Sequence, residues 1–476
     1  MIFFFDVTLT RLGVITMLVR CFAMSVLAAT SIVLVAHAQT PIDSRTDPLG
    51  GLVAQALEAN LGLAAERLAE QRAAAEVRGA RGLFLPALSL ESRYSRLGGV
   101  PNIGDLVNPA YAALNTLTGT HRFPTNLDIT LPQRHDSYLE LRQPLFNAAI
   151  AANYAAARSR HDGQRFELLA AARRLAAVVQ TAYLDEASAR RGVEIYAATL
   201  ALVRENERVA ERLLAAGRAT PEGVLRARAD RSEIEQELAE AGQRHSAAVR
   251  ALNQILHRPL DAPVAAIPDS ALDLPLTIDV ESAVARALTR REELGQLDAG
   301  IRTGEAGVRA ATASFLPSLS LGVDYGFQGR DFAFRSSQDY WAVSLIVSWN
   351  LFNGGQDAAR RAATRLEVER SETLRKDLEE RIALEVRTAY EAATVAHAAI
   401  ATAGDRLDAA RRTFQLVRRR YDEGAASPFE LVEARTALTA AELNRVVTAY
   451  RYATRYVDLE RAAALRDSDL WKGPQS

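Results

Sequence analysis

Strand-type and helix-type hydrophobic patterns alternate along the chain, and the strand-type pattern is clearest in the second half. Apolar side chains occupy every second position of residues 318–327 and again of residues 341–351, and most of the intervening residues are small or polar. A period of two places these apolar side chains on one face of a strand. Weaker alternation at residues 88–95 and 139–145 predicts two more strands. The chain is therefore predicted to carry four strands.

Each pair of strands precedes a long segment with a helical period. Residues 148–216 and 356–423 contain no proline. At 1.5 Å per residue each segment would extend about 100 Å, too far for one globular core. An apolar seam with steps of 3, 4, 3 and 4 residues predicts coiled-coil packing. In the second segment the seam comprises Leu407, Ala410, Phe414, Val417 and Tyr421. In the first segment Leu200, Val203, Ala210 and Leu214 keep the same register, and the polar Glu207 occupies one seam position.

Short phrases recur in the same order in both halves. Phe-Leu-Pro-x-Leu-Ser-Leu occurs at 84–90 and 315–321, and Leu-Phe-Asn at 145–147 and 351–353. The two Leu-Phe-Asn phrases are 206 residues apart (351 minus 145). A tandem duplication is the simplest explanation. Each predicted repeat holds a helix, a β-hairpin and a long helical hairpin: residues 39–268 with strands at about 86–146, and residues 269–476 with strands at about 317–352.

The long helices are predicted to fold back at two similar turns. Gly217 and Gly424 suit the left-handed position that ends a helix. Thr220 and Ser427 suit the N-cap of the returning helix, because a proline follows each of them. Ser427 and Glu430 also have the spacing of a capping box.

The first 38 residues have the pattern of a secretory signal peptide. Arg20 precedes an apolar stretch that ends in the small-x-small site Ala36-His37-Ala38. Either Met1 or Met17 is the start. Cys21 is the lone cysteine, and its position inside the apolar stretch argues against a lipid anchor. The mature chain would therefore contain no disulfide or thiolate site.

Charge and motifs exclude several functions. Asp and Glu number 58 against 57 Lys and Arg, so no basic surplus indicates nucleic acid binding. The histidines are scattered, and no nucleotide-binding loop or nucleophile motif occurs. We therefore predict no enzyme activity, no metal and no cofactor. After residue 38 no segment is apolar over the length that a spanning helix needs.

Four strands are too few to close a barrel in a membrane. Open edges in lipid leave backbone groups unpaired, and closed barrels begin at about eight strands. If the strands cross a membrane, several copies must share one barrel. The alternative is two soluble β-hairpins packed on helices. The signal peptide and the length of the helices favour the barrel.

Together these landmarks resemble the TolC-like outer-membrane efflux proteins of Gram-negative bacteria, over nearly the whole mature chain. The resemblance implies a mainly α fold with a β-barrel portion. Three chains would share a 12-stranded β-barrel in outer-membrane lipid, continued by a coiled-coil tunnel through the periplasm. This homotrimer would be a passive conduit for efflux or type I secretion. It would dock a periplasmic membrane-fusion adaptor and an inner-membrane pump of the RND or ABC type. The pump would supply the energy.

The resemblance also implies sites. The hairpin turns would be adaptor-docking tips, and acidic residues after the second turn would form a gate at the periplasmic aperture. Glu433 is the preferred gate residue, since Glu430 has the alternative capping role; Arg226, at the matching first-repeat position, is a possible partner for a gate carboxylate. Tyr325, Trp341 and Trp349 would be aromatic anchors of the barrel. The predicted tips are Gly217, Arg218, Ala219, Thr220, Pro221 and Glu222, and Gly424, Ala425, Ala426, Ser427, Pro428 and Phe429.

Two alternatives stay open at this point. The first β-hairpin has a long connection, at about residues 97–137, which would lie outside the cell. It either plugs the mouth, meets an external ligand, or is a disordered loop of no specific use. The rival function is a periplasmic coiled-coil adaptor or scaffold that never enters the membrane. The substrate, whether drug, metal ion, peptide or protein, is not specified by the sequence.

Overall fold

The computed structural model of the protein describes residues 48–96, 102–129, 134–218, 220–266, 275–329 and 331–466. The predicted signal peptide and Ala219 lie outside these residues. The predicted mainly helical architecture with a small antiparallel sheet is confirmed. The described elements are α1 Pro48–Ala59, α2 Leu61–Gly82, β1 Ala87–Tyr94, α3 Ile103–Thr118, β2 His135–Phe146, α4 Ala148–Ala215, α5 Pro221–Ile255, α6 Val280–Arg290, α7 Glu292–Ala313, β3 Ser318–Gly329, β4 Asp339–Ser348, α8 Gln356–Asp422 and α9 Pro428–Ala462.

The four strands form one antiparallel sheet in the order β1, β2, β3, β4. Cross-strand partners share a face, and the register aligns the alternating apolar residues of all strands on one side. In one row Leu141 of β2 lies opposite Val323 of β3, which lies opposite Val343 of β4. Val343 is 58% exposed and Leu345 65% exposed. The apolar face is therefore uncovered within one chain.

The largest differences from the predicted strand boundaries lie at the end of β4 and the start of β2. β4 ends at Ser348 rather than Leu351, so Trp349 follows the strand. β2 begins at His135, before the predicted Leu139. The His135 side chain is fully buried: its Nε2 lies 2.8 Å from Ser137 Oγ and its ring centroid 4.5 Å from that of Phe332. The Phe332 contact comes from a loop distant in sequence, which period-two alternation does not reveal.

The long first connection contains a helix, which the sequence interpretation missed. Residues 103–118 form α3, with Asn102 at its N-cap and Gly119 in the left-handed conformation at its end. Pro109 lies inside this helix. This proline and two asparagines, Asn108 and Asn115, obscured the helical pattern, because all three are poor helix formers.

The two long helices match the prediction. α4 has 68 residues and α8 has 67, and the returning helices α5 and α9 have 35 each. Asn147 of the first Leu-Phe-Asn phrase starts α4, since its side chain accepts a hydrogen bond from Ala149 N at 3.0 Å. No helix in the described part of the chain is both long enough and apolar enough to cross a membrane.

The predicted seams pack between the helices of each hairpin. Leu200 and Val203 of α4 are buried against Ile234 of α5, and Glu207 forms an ion pair with Arg231 at 2.8 Å. Every residue of the α8 seam, from Leu407 to Tyr421, is half-buried. A polar seam position is thus tolerated where an arginine of the facing helix reaches it.

Two apolar clusters hold the helices together at the sheet-proximal ends of the hairpins. One cluster joins α1, α2, α4, α5 and α9 and includes Val179 and Leu252; the other joins α6, α7, α8 and α9 and includes Val386 and Leu459. Arg173 of α4 links the repeats, donating to both carboxylate oxygens of the buried Glu292 at 2.7 and 2.9 Å.

Candidate functional site

The two helical hairpins end side by side around a cavity of about 690 Å³. All four helices and both turns contribute to its lining. Farther along the helices, the Thr199 and Thr439 hydroxyl oxygens lie 3.2 Å apart between α4 and α9. The turns that the sequence marked as docking tips therefore surround one concave surface.

Both turns have the same backbone conformation and the same pattern of backbone hydrogen bonds. Gly217 has a φ of 68° and Gly424 a φ of 75°. The next residue reaches back five positions, with Arg218 N donating to Leu213 O at 2.8 Å and Ala425 N to Arg420 O at 2.6 Å. These bonds define a Schellman motif, which needs a left-handed residue that glycine adopts without strain.

The helix starts after these turns differ. Ser427 forms the predicted capping box: Glu430 N donates to Ser427 Oγ at 3.2 Å, and Ser427 N donates to Glu430 Oε2 at 2.7 Å. The Ser427 N–H, followed by the Ser427 hydroxyl, holds the pKa of Glu430 below its ordinary value. Arg420 adds a bond to Ala425 O at 3.0 Å. The capping interpretation of Glu430 is therefore confirmed.

Thr220 is the N-cap residue of α5 as predicted, but its side chain makes no cap. Thr220 has the extended backbone of an N-cap, yet its hydroxyl accepts no backbone N–H of α5. The hydroxyl instead donates to the Glu222 carboxylate, which lowers the pKa of that carboxyl. The Glu222 carboxylate thus competes with the backbone N–H groups of α5 for a hydrogen bond with the Thr220 hydroxyl. The Ser/Thr-Pro pattern that both turns share does not specify which of these partners the hydroxyl binds.

Most predicted docking residues are accessible. In the first turn Gly217, Arg218 and residues 220–222 are exposed; in the second turn every predicted residue is exposed except Ala426, which is half-buried. Phe429 is 58% exposed, and the Arg226 guanidinium carbon lies 5.8 Å from its ring centroid. This contact joins the two tips.

The predicted gate residues do not contact one another within one chain. Glu433 is exposed and takes part in no hydrogen bond or ion pair found among the described residues. Glu430 is half-buried and occupied by the capping box, with Arg420 at 4.0 Å. Arg226 lies over Phe429 rather than beside either carboxylate. Of the two carboxylates, only that of Glu433 takes part in no such contact among the described residues.

The sequence interpretation missed a buried ion pair close to the tips. Both terminal nitrogens of Arg435 on α9 donate to the carboxylate of Asp230 on α5. Arg435 is 2% exposed and Asp230 8%. Charged groups at such depth need a partner with matching geometry. The sequence did contain a signal for this pair, namely a charged residue on the apolar side of a helix. Asp230 lies between Val224 and Ile234, which are buried on the same helix.

The predicted aromatic anchors lie at the two ends of the apolar sheet face. Tyr325 and Trp341 are cross-strand partners, 48% and 74% exposed. Trp349 lies just beyond β4, 57% exposed, and donates its indole N–H to Phe315 O at 3.2 Å. An apolar band flanked by aromatic side chains is typical of a strand surface in contact with lipid.

The opposite sheet face is charged and internally paired. Tyr138 donates to Glu91 at 2.8 Å, and Arg93 pairs with the same carboxylate at 2.6 Å. One strand further, Arg142 pairs with Glu140 at 2.6 Å. A polar face behind an apolar face is the arrangement of a strand that separates lipid from a water-filled interior.

Known proteins share this arrangement. The family model for outer membrane efflux proteins matches residues 283–465. The alkaline protease secretion protein AprF of Pseudomonas aeruginosa is 26% identical over 359 residues, 73% of this chain and 74% of AprF. The pyoverdine export outer membrane protein OpmQ of Pseudomonas putida is 28% identical over 195 residues, 38% of this chain and 40% of OpmQ. The crystal structure of CusC has a TM-score of 0.73 at 20% identity, covering 91% of this chain and 95% of CusC.

The fold, the two-faced sheet and these relatives define an outer-membrane channel of an efflux or secretion system, with a long periplasmic extension. The rival class, a periplasmic adaptor or scaffold, is not favoured. More particularly, the chain resembles the TolC-like outer-membrane factors.

Proposed function

We propose that three copies of the chain share one 12-stranded barrel and that their helices form a single tunnel across the periplasm. The observation that carries the proposal is the four-stranded sheet, in which β1 and β4 each have a free edge. In lipid every unpaired backbone group costs several kcal/mol. Pairing β1 of each copy with β4 of the next removes all free edges.

In this trimer the apolar sheet face meets outer-membrane lipid, and Tyr325, Trp341 and Trp349 lie near its boundaries. The paired charges of the opposite face line the interior. The barrel is then a passive polar conduit, and the energy for transport comes from its partners.

Those partners are a periplasmic membrane-fusion adaptor and an inner-membrane pump of the RND or ABC type. The exposed turn residues 217–222 and 424–429, with the cavity between them, support an adaptor-docking surface at the tips. The relatives' names describe protease secretion and pyoverdine export, so the conduit function is proposed for either kind of cargo.

Glu433 is the proposed gate residue. Its exposed carboxylate, on the first turns of α9, supports a role facing the threefold axis. Three such groups would form a negative ring, which favours cations over anions. Glu430 would contribute less, because its carboxylate already caps α9.

Membrane fractionation followed by native mass determination tests the assembly. The expected result is recovery in the outer membrane as a species of three chains, each slightly lighter than the 51.8 kDa full sequence after removal of the signal peptide. A soluble periplasmic monomer or dimer would contradict the shared barrel.

Single-channel recording in planar bilayers tests the gate. Glu433→Ala should reduce cation preference, seen as a reversal potential closer to zero in a salt gradient. Glu372→Ala removes an exposed carboxylate of α8 far from the tip and serves as the control. Equal ion preference in Glu433→Ala and the unmodified channel would remove Glu433 from the gate and leave the trimer untouched.

A further inference from the structure

Helix α3 in the first external connection presents an apolar seam to the outside. Its residues follow steps of 3, 4, 3 and 4, the spacing of a coiled-coil contact. All five are exposed, Leu106 and Leu117 at 81% and 83%. The seam comprises Ile103, Leu106, Ala110, Ala113 and Leu117.

The opposite side of α3 is fixed by asparagines that bind a following segment, residues 120–129. The Asn108 side chain donates to Leu127 O and accepts from Leu127 N, both at 2.8 Å. Asn115 does the same with Phe123 at 2.8 and 3.0 Å. Each amide thus pairs with the backbone as a neighbouring strand would.

Close packing supports the same orientation. A Cβ placed on Gly104 would lie 1.8 Å from Leu127 O, so only glycine permits this approach. Tyr111 packs against Phe123 with ring centroids 5.5 Å apart and the rings tilted by 43°. Because the polar side of α3 binds residues 120–129, the apolar seam on the other side of the helix faces away from that segment.

The position of α3 limits what can cover the seam. It follows β1, an edge strand whose free side requires another copy in the proposed barrel. Ser95 N donates to Arg134 O at 2.6 Å, which holds the two ends of the connection together. A 16-residue helix is about 24 Å long, close to the roughly 24 Å diameter of twelve strands spaced about 4.8 Å and tilted about 40°.

The charge of α3 favours protein over a lipid surface. Asp105 is its single charged residue, and it contains no lysine or arginine. Helices that lie on membranes typically carry basic residues on the polar face. The polar face of α3 instead carries asparagines already bound to the backbone.

We infer that α3 is a self-association element, in which the seam of one copy packs against the same seam of neighbouring copies at the outer mouth of the barrel. The inference rests on the proposed trimer. It gives the channel a helical constriction at its extracellular end, separate from the periplasmic tips.

Disulfide cross-linking tests the contact, because Cys21 is the one cysteine of the sequence and lies in the predicted signal peptide. Leu106→Cys and, separately, Ala113→Cys should form covalent dimers on oxidation of the extracted protein. One disulfide joins two of three chains, so the dimer should hold up to about two-thirds of the protein. Ala112→Cys, exposed on the opposite side of α3, should stay monomeric on a denaturing gel.

Three outcomes would overturn the inference. Full labelling of Leu106→Cys by a bulky water-soluble maleimide on intact cells would show that the seam faces solvent. Protection from the maleimide without a dimer would assign the seam to lipid or another protein. Native mass on the same samples separates the proposals: a three-chain species without cross-links removes only the α3 contact, whereas a single-chain species removes the trimer as well.

Channel recording gives a second measurement that needs no cysteine. Leu117→Asp would place like charges where the three seams meet, so the helices should separate and the single-channel conductance should rise. Ala112→Asp adds the same charge on the opposite side and should leave conductance unchanged. Equal conductance in both variants and the unmodified channel would contradict a constriction by α3.

Discussion

The two hairpin tips share a turn but differ in how that turn is secured. Gly217 and Gly424 give nearly the same backbone path, whereas only the second tip has a capping box and a bond from Arg420. At the first tip the start of the returning helix has instead the hydrogen bond between Thr220 and Glu222. The Arg226 side chain also contacts Phe429 of the second tip. The two tips therefore share the fold of the turn and differ in the side chains that secure it.

The largest expected effect comes from separating the two tips at their shared ion pair. Asp230→Ala leaves Arg435 buried without a carboxylate, at a cost of about 3–5 kcal/mol. We expect a lower midpoint of thermal dissociation and faster proteolysis at the first tip than at the second. Asp230→Leu combined with Arg435→Met should recover most of the loss, because an apolar pair leaves no buried charge. A single variant as stable as the unmodified protein would show that the pair is not structural.

A second test addresses what the tips have in common. Gly217→Ala and Gly424→Ala each force alanine into a left-handed conformation, at roughly 1–2 kcal/mol. A Cβ at either position would meet no atom within 4 Å, so the cost is conformational and should be similar in both. Gly192→Ala, inside α4 with equal free space, should be neutral or stabilising. Hydrogen–deuterium exchange of the turn amides reports each change, and a clear inequality between the two glycine variants would contradict a shared turn.

The caps should separate the tips again. Ser427→Ala removes an acceptor for Glu430 N and should cost about 1 kcal/mol. Thr220→Ala removes no backbone cap and should have a smaller effect on the start of α5. Amide exchange in the first turns of α9 and α5 measures both. Equal protection losses would mean that Thr220 caps α5 after all.

The smallest expected effect is a pH dependence. The folded-state pKa values of Glu430 and Glu222 are both lowered. Their stabilisation is therefore complete above the unfolded pKa, near 4.5, and is lost as pH falls through the lowered folded value. Amide exchange at the second tip should accelerate below about pH 4.5, and Glu430→Gln should remove that dependence. The same acceleration in Glu430→Gln would assign it to another group.

Local sequence patterns predicted the helices and strands better than they predicted which residues contact one another across the fold. The seam from Leu407 to Tyr421 and residues 318–327 of β3 follow from hydrophobic period alone, because one face of each is consistently apolar. Helix α3 was missed because Asn108, Pro109 and Asn115 are poor helix formers. Asp230 and Arg435 are 205 residues apart in sequence. No local pattern indicates that these two charged residues pair with each other between helices that otherwise pack through apolar side chains.

The free edges of β1 and β4 have a genetic consequence. In the proposed barrel of three chains, a copy with a defective edge would spoil every assembly that it enters. If defective and intact chains are made in equal amounts and mix freely, only about one trimer in eight contains three intact chains. Edge-strand mutations should therefore be dominant in cells that also express the intact chain, whereas mutations confined to one chain's core should be recessive.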